Sequence, residues 1–479
     1  MNFKWFGRGT ETLSGLRRSI AKRFGMIRFK EKVLKRRVPE TPWYQSDGAT
    51  LTTLLAIQVV TGATMALYYT NAIDFAYESV QHINQVLPMG RLVRGIHYWT
   101  AGTMVVVLFL HLFRHLALGG YKTPREGTWT IGVFQFWLVL TMAFSGYVLP
   151  WDERAVYAVR VVLNFFHKVP FIGDALVLLV QGGPQLGAAT LTRFFAVHVL
   201  IVPLLLLSLV GVHLYLVVIH GVTSKAERLQ PVSGMKEHKE IYREASELPE
   251  GEWFHPHTVL LTGFMAFLVF CGIYVLALVV GPPELYPKAN LVRHTIPMEE
   301  WWYGWYSALI ALLPSRIAPL FYVLFPIGLF VAMLLLPIID RSPYRGVRNR
   351  PVWAVFVALC VIGILGLSGL RIKSSWTGWP EDEPPPVPAG VVLSERAEAG
   401  RLLFARYGCN SCHSISARGR AVGPDLARIE HRLSQAELRA FILEPPADVP
   451  MPSYRGRISE ADLDSVVDFV LAAQTFPRE

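Results

Sequence analysis

Cysteine is scarce, with four in 479 residues. Two of them share one short motif, Cys409 and Cys412, and the other two stand apart, so none remain for an iron–sulfur cluster of the chain's own. Cys271 and Cys360 stand singly within apolar runs and read as small core residues. Charge is scarce too, at 17% of residues, and the mean hydropathy is +0.36. An ordinary soluble globule is excluded by that balance. The net charge of +10 does not call for a nucleic-acid partner. Its excess lies in the first 49 residues and in short loops between apolar runs, where positive-inside bias accounts for it.

What is present is apolar length. Seven runs, 50–70, 95–118, 129–149, 192–220, 257–280, 317–339 and 351–371, approach the ~20 residues of a bilayer-spanning helix. The expected fold is all-α: a polytopic membrane bundle of seven or eight helices with a four-helix core, followed by a C-terminal helical domain. Residues 1–49 read as a basic amphipathic arm lying on the inner membrane surface. Lys122, Arg125, Lys225, Arg228, Lys236, Lys239, Arg243, Arg341, Arg345, Arg348 and Arg350 all fall on the side of that arm. The N-terminus is therefore expected in the cytoplasm and, after seven crossings, the C-terminus outside. A proline-rich linker over 376–390 leads to a soluble domain over 391–479.

Two of the apolar runs carry histidine pairs: His97 with His111, and His198 with His213. At ~100° per residue, spacings of 14 and 15 leave each pair within ~40–60° of one direction, and ~21–23 Å apart along the axis. A single intramembrane histidine is more often a satisfied core residue; four in this pattern indicate ligands. Two facing helices so equipped can clamp two stacked haems, one near each surface. If the second and fourth runs are parallel, His97 pairs with His198 and His111 with His213. Gly48 and Gly62, and Gly132 and Gly146, repeat the spacing of 14. Glycine lets a backbone approach a flat macrocycle closely, although it also serves helix packing. Arg94 and Arg114 lie near the histidines and suit either propionate pairing or interfacial snorkelling.

Cys409 and Cys412 belong to C-N-S-C-H, the pattern of covalent haem attachment, with His413 as an axial ligand. A zinc site would want four ligands, and His431 is the one further candidate nearby. Met451 is expected as the sixth ligand, with His431 as the runner-up. Covalent attachment normally occurs outside the membrane, in agreement with the charge argument.

These residues resemble the cytochrome b of quinol-oxidising cytochrome bc complexes. The marks are G-G-Y-K-T-P-R-E (Gly119–Glu126), S-G-Y-V-L-P-W-D (Ser145–Asp152) and L-T-R-F-F-A-V-H (Leu191–His198). The spacing of 15 is similar to the split type of that family, with its separate three-helix subunit here fused. The resemblance implies a dihaem domain over 50–222 and a three-helix domain over 223–375 bearing the quinol-site loop. It carries the role of proton acceptor to Glu300, where the family has P-E-W-Y and this chain has Glu299-Glu300-Trp301-Trp302. It also implies two non-covalent b haems, quinol and quinone, and a separate Rieske iron–sulfur protein. A soluble cytochrome c or terminal oxidase downstream and a homodimeric complex follow from the same resemblance. So does the bacterial inner membrane, with the c domain on its periplasmic side. One quinol electron would go to the Rieske protein and the other across the membrane, coupled to proton translocation. Some relatives attach a third haem where this chain has Ser46, so a covalent one is not expected there and a non-covalent one stays open. The domain after the linker resembles small class I c-type cytochromes. The rival reading is a dihaem anchor and c-type relay for another dehydrogenase.

Overall fold

A computed structural model describes residues 23, 34–167, 169–247, 251–289, 300–313, 317–373, 384–416, 418–419, 423–429, 433–446 and 451–476. Most of the basic arm, Glu299, His431 and much of the linker lie outside them. Among the described residues, seven helices are long and apolar enough to cross a membrane. They are Asp47–Ala66, Gly90–Leu118, Glu126–Val148, Ala188–His220, Phe254–Val279, Leu320–Ile339 and Pro351–Ile372, called here the first to seventh spans. Their apolar residues are mostly exposed on the protein itself, with at most 33% of any span's apolar window buried. A helix that is apolar all round needs lipid as its partner.

The first, second and fifth spans pack together, and the third packs on the fourth and sixth. Leu54, Met104, Leu108, Phe136, Leu206 and Ile273 form the shared core. The Trp129 indole donates to the Met333 carbonyl at 2.6 Å and joins the third span to the sixth. Short helices cap the face that carries His97 and His198. Ala76–Gln85, Glu153–His167 and Gly173–Gln181 pack there around Trp151, Val156 and Leu191. The connector after the third span is thus helical over Glu153–His167.

The fourth span is not one uniform helix. An α segment, Ala188–Ala196, passes through a π turn, Val197–Ile201, into Val202–His220. Pro203 follows the turn. Proline lacks an N–H and crowds the preceding turn, which favours such a widening. His198 lies in this turn. The turn takes up one extra residue, so the spacing of 15 in the fourth span does the work of the 14 in the second.

Two buried ion clusters tie the opposite face. Glu227, 0% exposed, receives Arg125 at 3.0 and 3.2 Å and His238 Nδ1 at 2.8 Å. It also caps its own helix through the Ser224 N–H at 2.9 Å. Burial alone would raise the Glu227 pKa; Arg125 and His238 outweigh it and hold the carboxyl well below its usual range. Asp340 likewise receives Lys122 and Arg350, each at 2.6 Å, and the Tyr121 hydroxyl. These clusters bind the loops after the second, fourth and sixth spans to one another. A two-strand ladder, Arg37–Pro39 against Gly251–Trp253, fastens the chain ahead of the first span to the chain ahead of the fifth.

In the C-terminal domain, helix Glu395–Arg406 packs on Glu460–Ala473 through Phe404, Leu463, Val466 and Phe469. Ser394, Ser434 and Ser459 cap the three α-helices described in it by accepting backbone N–H bonds, as N-cap serines do.

Candidate functional site

The rings of His97 and His198 face each other with centroids 6.4 Å apart. Two imidazoles on opposite sides of one metal, with bonds of about 2 Å, put their centres roughly 6 Å apart. The residues therefore fit a shared haem iron. Each Nδ1 is occupied within the protein. His97 Nδ1 lies 2.9 Å from Thr61 Oγ1, whose own proton goes to the Ile57 carbonyl at 2.6 Å. His198 Nδ1 lies 3.1 Å from both Ser145 Oγ and the Met142 carbonyl. With Nδ1 engaged as donor, Nε2 is left to bind metal.

On the other face, His111 Nδ1 lies 3.1 Å from Asp47 Oδ1. Asp47 also takes a bidentate pair from Arg114, at 2.6 and 2.8 Å. Arg94 donates to Asn84 Oδ1 and to the Pro283 carbonyl, both at 3.2 Å. Both arginines thus have protein partners.

The four glycines each back one histidine. A Cβ added at Gly62 would lie 3.2 Å from His97 Cε1, and at Gly146 2.5 Å from His198 Cε1. At Gly132 it would lie 3.4 Å from His213 Cε1, and at Gly48 3.6 Å from His111 Cε1. At Gly146 and Gly62 a Cβ would come closer than ordinary contact, and the group approached there is the imidazole edge; at Gly48 the contact is ordinary. The residue before the glycine supplies the Nδ1 partner in three of the four cases: Thr61, Ser145 and Asp47. A polar residue immediately before three of the four spaced glycines, Gly132 following Ile131 instead, was the signal that sequence reading passed over.

Glu300 is 5% exposed and lies on the His97 face. Its Oε2 accepts from the Tyr98 hydroxyl at 2.7 Å, and its Oε1 pairs with Arg154 Nη2 at 3.1 Å. Arg154 lies over the Tyr147 and Tyr286 rings, 5.0 Å from each centroid. Burial raises the Glu300 pKa, while Arg154 and Tyr98 oppose the rise. Asp152, buried beside them, is raised for the same reason. Gly102 makes room for the tryptophans after Glu300: a Cβ there would meet Trp301 at 2.8 Å and Trp302 at 3.0 Å. Tyr98, Arg154 and Gly102 were not found from sequence. Tyr98 and Arg154 are far apart in the chain, and only the fold brings them to one carboxylate.

In the C-terminal domain, Cys409–Ser411 forms a single 3₁₀ turn, and the His413 N–H bonds back to the Cys409 carbonyl at 3.0 Å. His413 Nδ1 donates to the Pro424 carbonyl at 2.9 Å, and Gly423 lies against the ring. Met451 is half-buried. Three residues on, the Tyr454 hydroxyl reaches the Tyr407 carbonyl at 3.1 Å, beside Cys409. The methionine segment therefore returns to the C-x-x-C-H turn.

Residues 37–222 match the family "Cytochrome b/b6/petB", and residues 395–470 match "Cytochrome C oxidase, cbb3-type, subunit III". Cytochrome b of Rickettsia typhi is 31% identical over 324 residues, covering 65% of this chain and 76% of that one. The chain belongs to the cytochrome b family. Cytochrome b/c1 of Bradyrhizobium diazoefficiens is 31% identical over 340 residues, covering 68% of this chain and 46% of that protein. A chain of a hyperthermophilic respiratory complex III has a TM-score of 0.64 at 25% identity, covering 81% of this chain and 93% of its own. This cytochrome b is a multi-pass membrane protein of b/c1 type. It is a subunit of a bc-complex-like quinol oxidoreductase, with haem b in its bundle and a haem c domain at its C-terminus.

Proposed function

We propose that the chain oxidises quinol at Glu300 and carries two b haems and one c haem. His97 and His198 would hold one b haem, His111 and His213 the other. Cys409 and Cys412 would form the thioethers, with His413 and Met451 as axial ligands. Bound there, these groups supply one-electron carriers near both membrane faces and in the C-terminal domain.

The observation that carries the reading is the hydrogen bond from Tyr98 to Glu300. It sets the acid one residue from the histidine that would ligate the nearer haem. A carboxylate takes a proton from quinol only if it is ionised yet basic enough. Burial raises the Glu300 pKa, and the Arg154 ion pair and the Tyr98 hydrogen bond limit the rise. Trp302, itself buried, helps keep water from the carboxylate.

The proposal includes a separate Rieske protein as the other electron acceptor and a soluble cytochrome c or terminal oxidase downstream. It includes a homodimeric complex coupled to proton translocation. The N-terminus is placed in the cytoplasm of a bacterial cell and the c domain on the periplasmic side of its inner membrane. The positions of Lys122, Arg345 and Arg350 on the His111 face support that orientation. Ser46 is buried and its hydroxyl donates to the Trp43 carbonyl at 2.6 Å; lacking a thiol, it offers no covalent attachment to a third haem.

Glu300→Gln tests the site. Quinol-driven reduction should slow at least tenfold while both b spectra and the c spectrum persist. Unchanged turnover would remove Glu300 from the reaction.

A further inference from the structure

The partners of the histidine Nδ1 atoms are unequal. On one face they are neutral: the Thr61 hydroxyl for His97, and the Ser145 hydroxyl with the Met142 carbonyl for His198. On the other face, His111 meets a carboxylate, Asp47. The four glycines repeat regularly, yet only Asp47 among the residues that precede them is ionisable.

The proton on His111 can be placed. Arg114 Nη2 lies 3.4 Å from His111 Nδ1 and only donates, whereas Asp47 Oδ1 at 3.1 Å only accepts. With Nε2 left to bind iron, Nδ1 carries the hydrogen, and the acceptor beside it is the carboxylate. Asp47 is held for that task. It lies in the first turn of its helix, its Oδ1 also accepts the Gly48 N–H at 2.8 Å, and Arg114 grips both oxygens.

We propose that Asp47 is a positioning residue that tunes the haem held by His111 and His213, making His111 a stronger electron donor and lowering the reduction potential of that haem alone. The inference rests on the reading of His111 and His213 as ligands. A carboxylate that accepts the outer N–H of a ligating histidine draws that proton and raises the basicity of the other nitrogen. A more basic ligand favours the ferric form. Electrostatics points the same way. Asp47 neutralises Arg114, and without it an unpaired guanidinium would stand beside the haem and favour the ferrous form.

Arg114 gains a second meaning. Its guanidinium is committed to Asp47 and to His115 Nε2 at 3.1 Å. It acts on the haem through the Asp47–His111 pair.

The test is a potentiometric titration of the purified chain, following the two b waves and the c wave. Asp47→Asn should shift one b wave to higher potential and leave the other b wave and the c wave in place. A tenfold loss of ferric preference would read as ~59 mV for one electron. Thr61→Val should move the other b wave, because Thr61 serves His97. Asp47→Glu, with its carboxylate displaced by one methylene, should move the same wave as Asp47→Asn by less. It carries the test alone if Asp47→Asn fails to hold haem. With both b haems present, unmoved waves, or a shift to lower potential, would overturn the inference. His111→Ala separates the underlying reading: if that variant keeps two b haems, the ligand assignment itself fails.

Discussion

The four glycines offer a graded test. If haem packing alone required them, Gly→Ala at each position would cost about the same. The structure implies unequal costs, because the atom met first is the histidine ring at four different distances. At Gly146 the new Cβ would lie 2.5 Å from His198 Cε1 and 3.0 Å from Nε2. Carbon atoms rest about 3.5–4.0 Å apart, so the ring must retreat by about 1 Å. A metal–ligand bond tolerates about 0.2 Å. The ring is also tethered at Nδ1 by Ser145 and the Met142 carbonyl, which resist the retreat. Gly146→Ala should therefore lower haem affinity by at least the 10–100-fold typical of lost second-shell support. Gly62→Ala, at 3.2 Å, asks for a few tenths of an ångström; Gly132→Ala, at 3.4 Å, asks for less. At Gly48 the contact is 3.6 Å and ordinary, so Gly48→Ala should keep full haem. The assay is haem b per polypeptide in purified variants, with the position of the α band. Equal loss at all four positions, or full retention in Gly146→Ala, would refute the argument.

Arg154→Gln should move the acidic limb of the quinol-oxidation rate to higher pH. Burial already raises the Glu300 pKa and Arg154 opposes it, so losing the guanidinium raises it further and the ionised base appears later; a limb that stays put would contradict this. Glu227→Gln should destabilise the folded chain by roughly 3–5 kcal/mol, since Arg125 would lose its buried partner; an unchanged midpoint in thermal unfolding in detergent would refute it. The Glu227 pKa is depressed in the fold, so its contribution is complete above the ordinary glutamate range and fades as pH falls below it. The wild-type chain should lose stability on acidification, and Glu227→Gln should lose less. Met451→Ala should abolish the six-coordinate low-spin c spectrum, and an intact spectrum would point to His431.

The seven spans were legible because a bilayer imposes a length and a composition that few other environments do. Ends moved by a few residues: the second span begins at Gly90 and the third at Glu126, where polar residues enter the helix at the membrane surface. The histidine pairs were legible by spacing, but the spacing of 15 was not explained by a uniform helix. The π turn at Val197–Ile201 explains it, and Pro203 was its local sign. The partner of His111 was not legible. Asp47 stands 64 positions away, and a carboxylate at the head of a helix has an ordinary capping explanation. Arg114 suited propionate pairing and interfacial snorkelling equally from sequence; its bond to Asp47 joins two spans and has no local sign. Arg154 follows Ser145–Asp152 by two residues, yet its partner Glu300 arrives from a loop after the fifth span. Such contacts depend on how spans are arranged, which periodicity along one helix does not encode.

One polypeptide is proposed to hold two b haems between facing histidines and one c haem on its C-terminal domain. A pyridine haemochrome assay on the purified, folded chain tests it most directly. The expected result is two haem b and one haem c per chain, with one haem b lost in His198→Ala and the other kept. Fewer than two haem b in folded material, or a full pair surviving in His198→Ala, would contradict it.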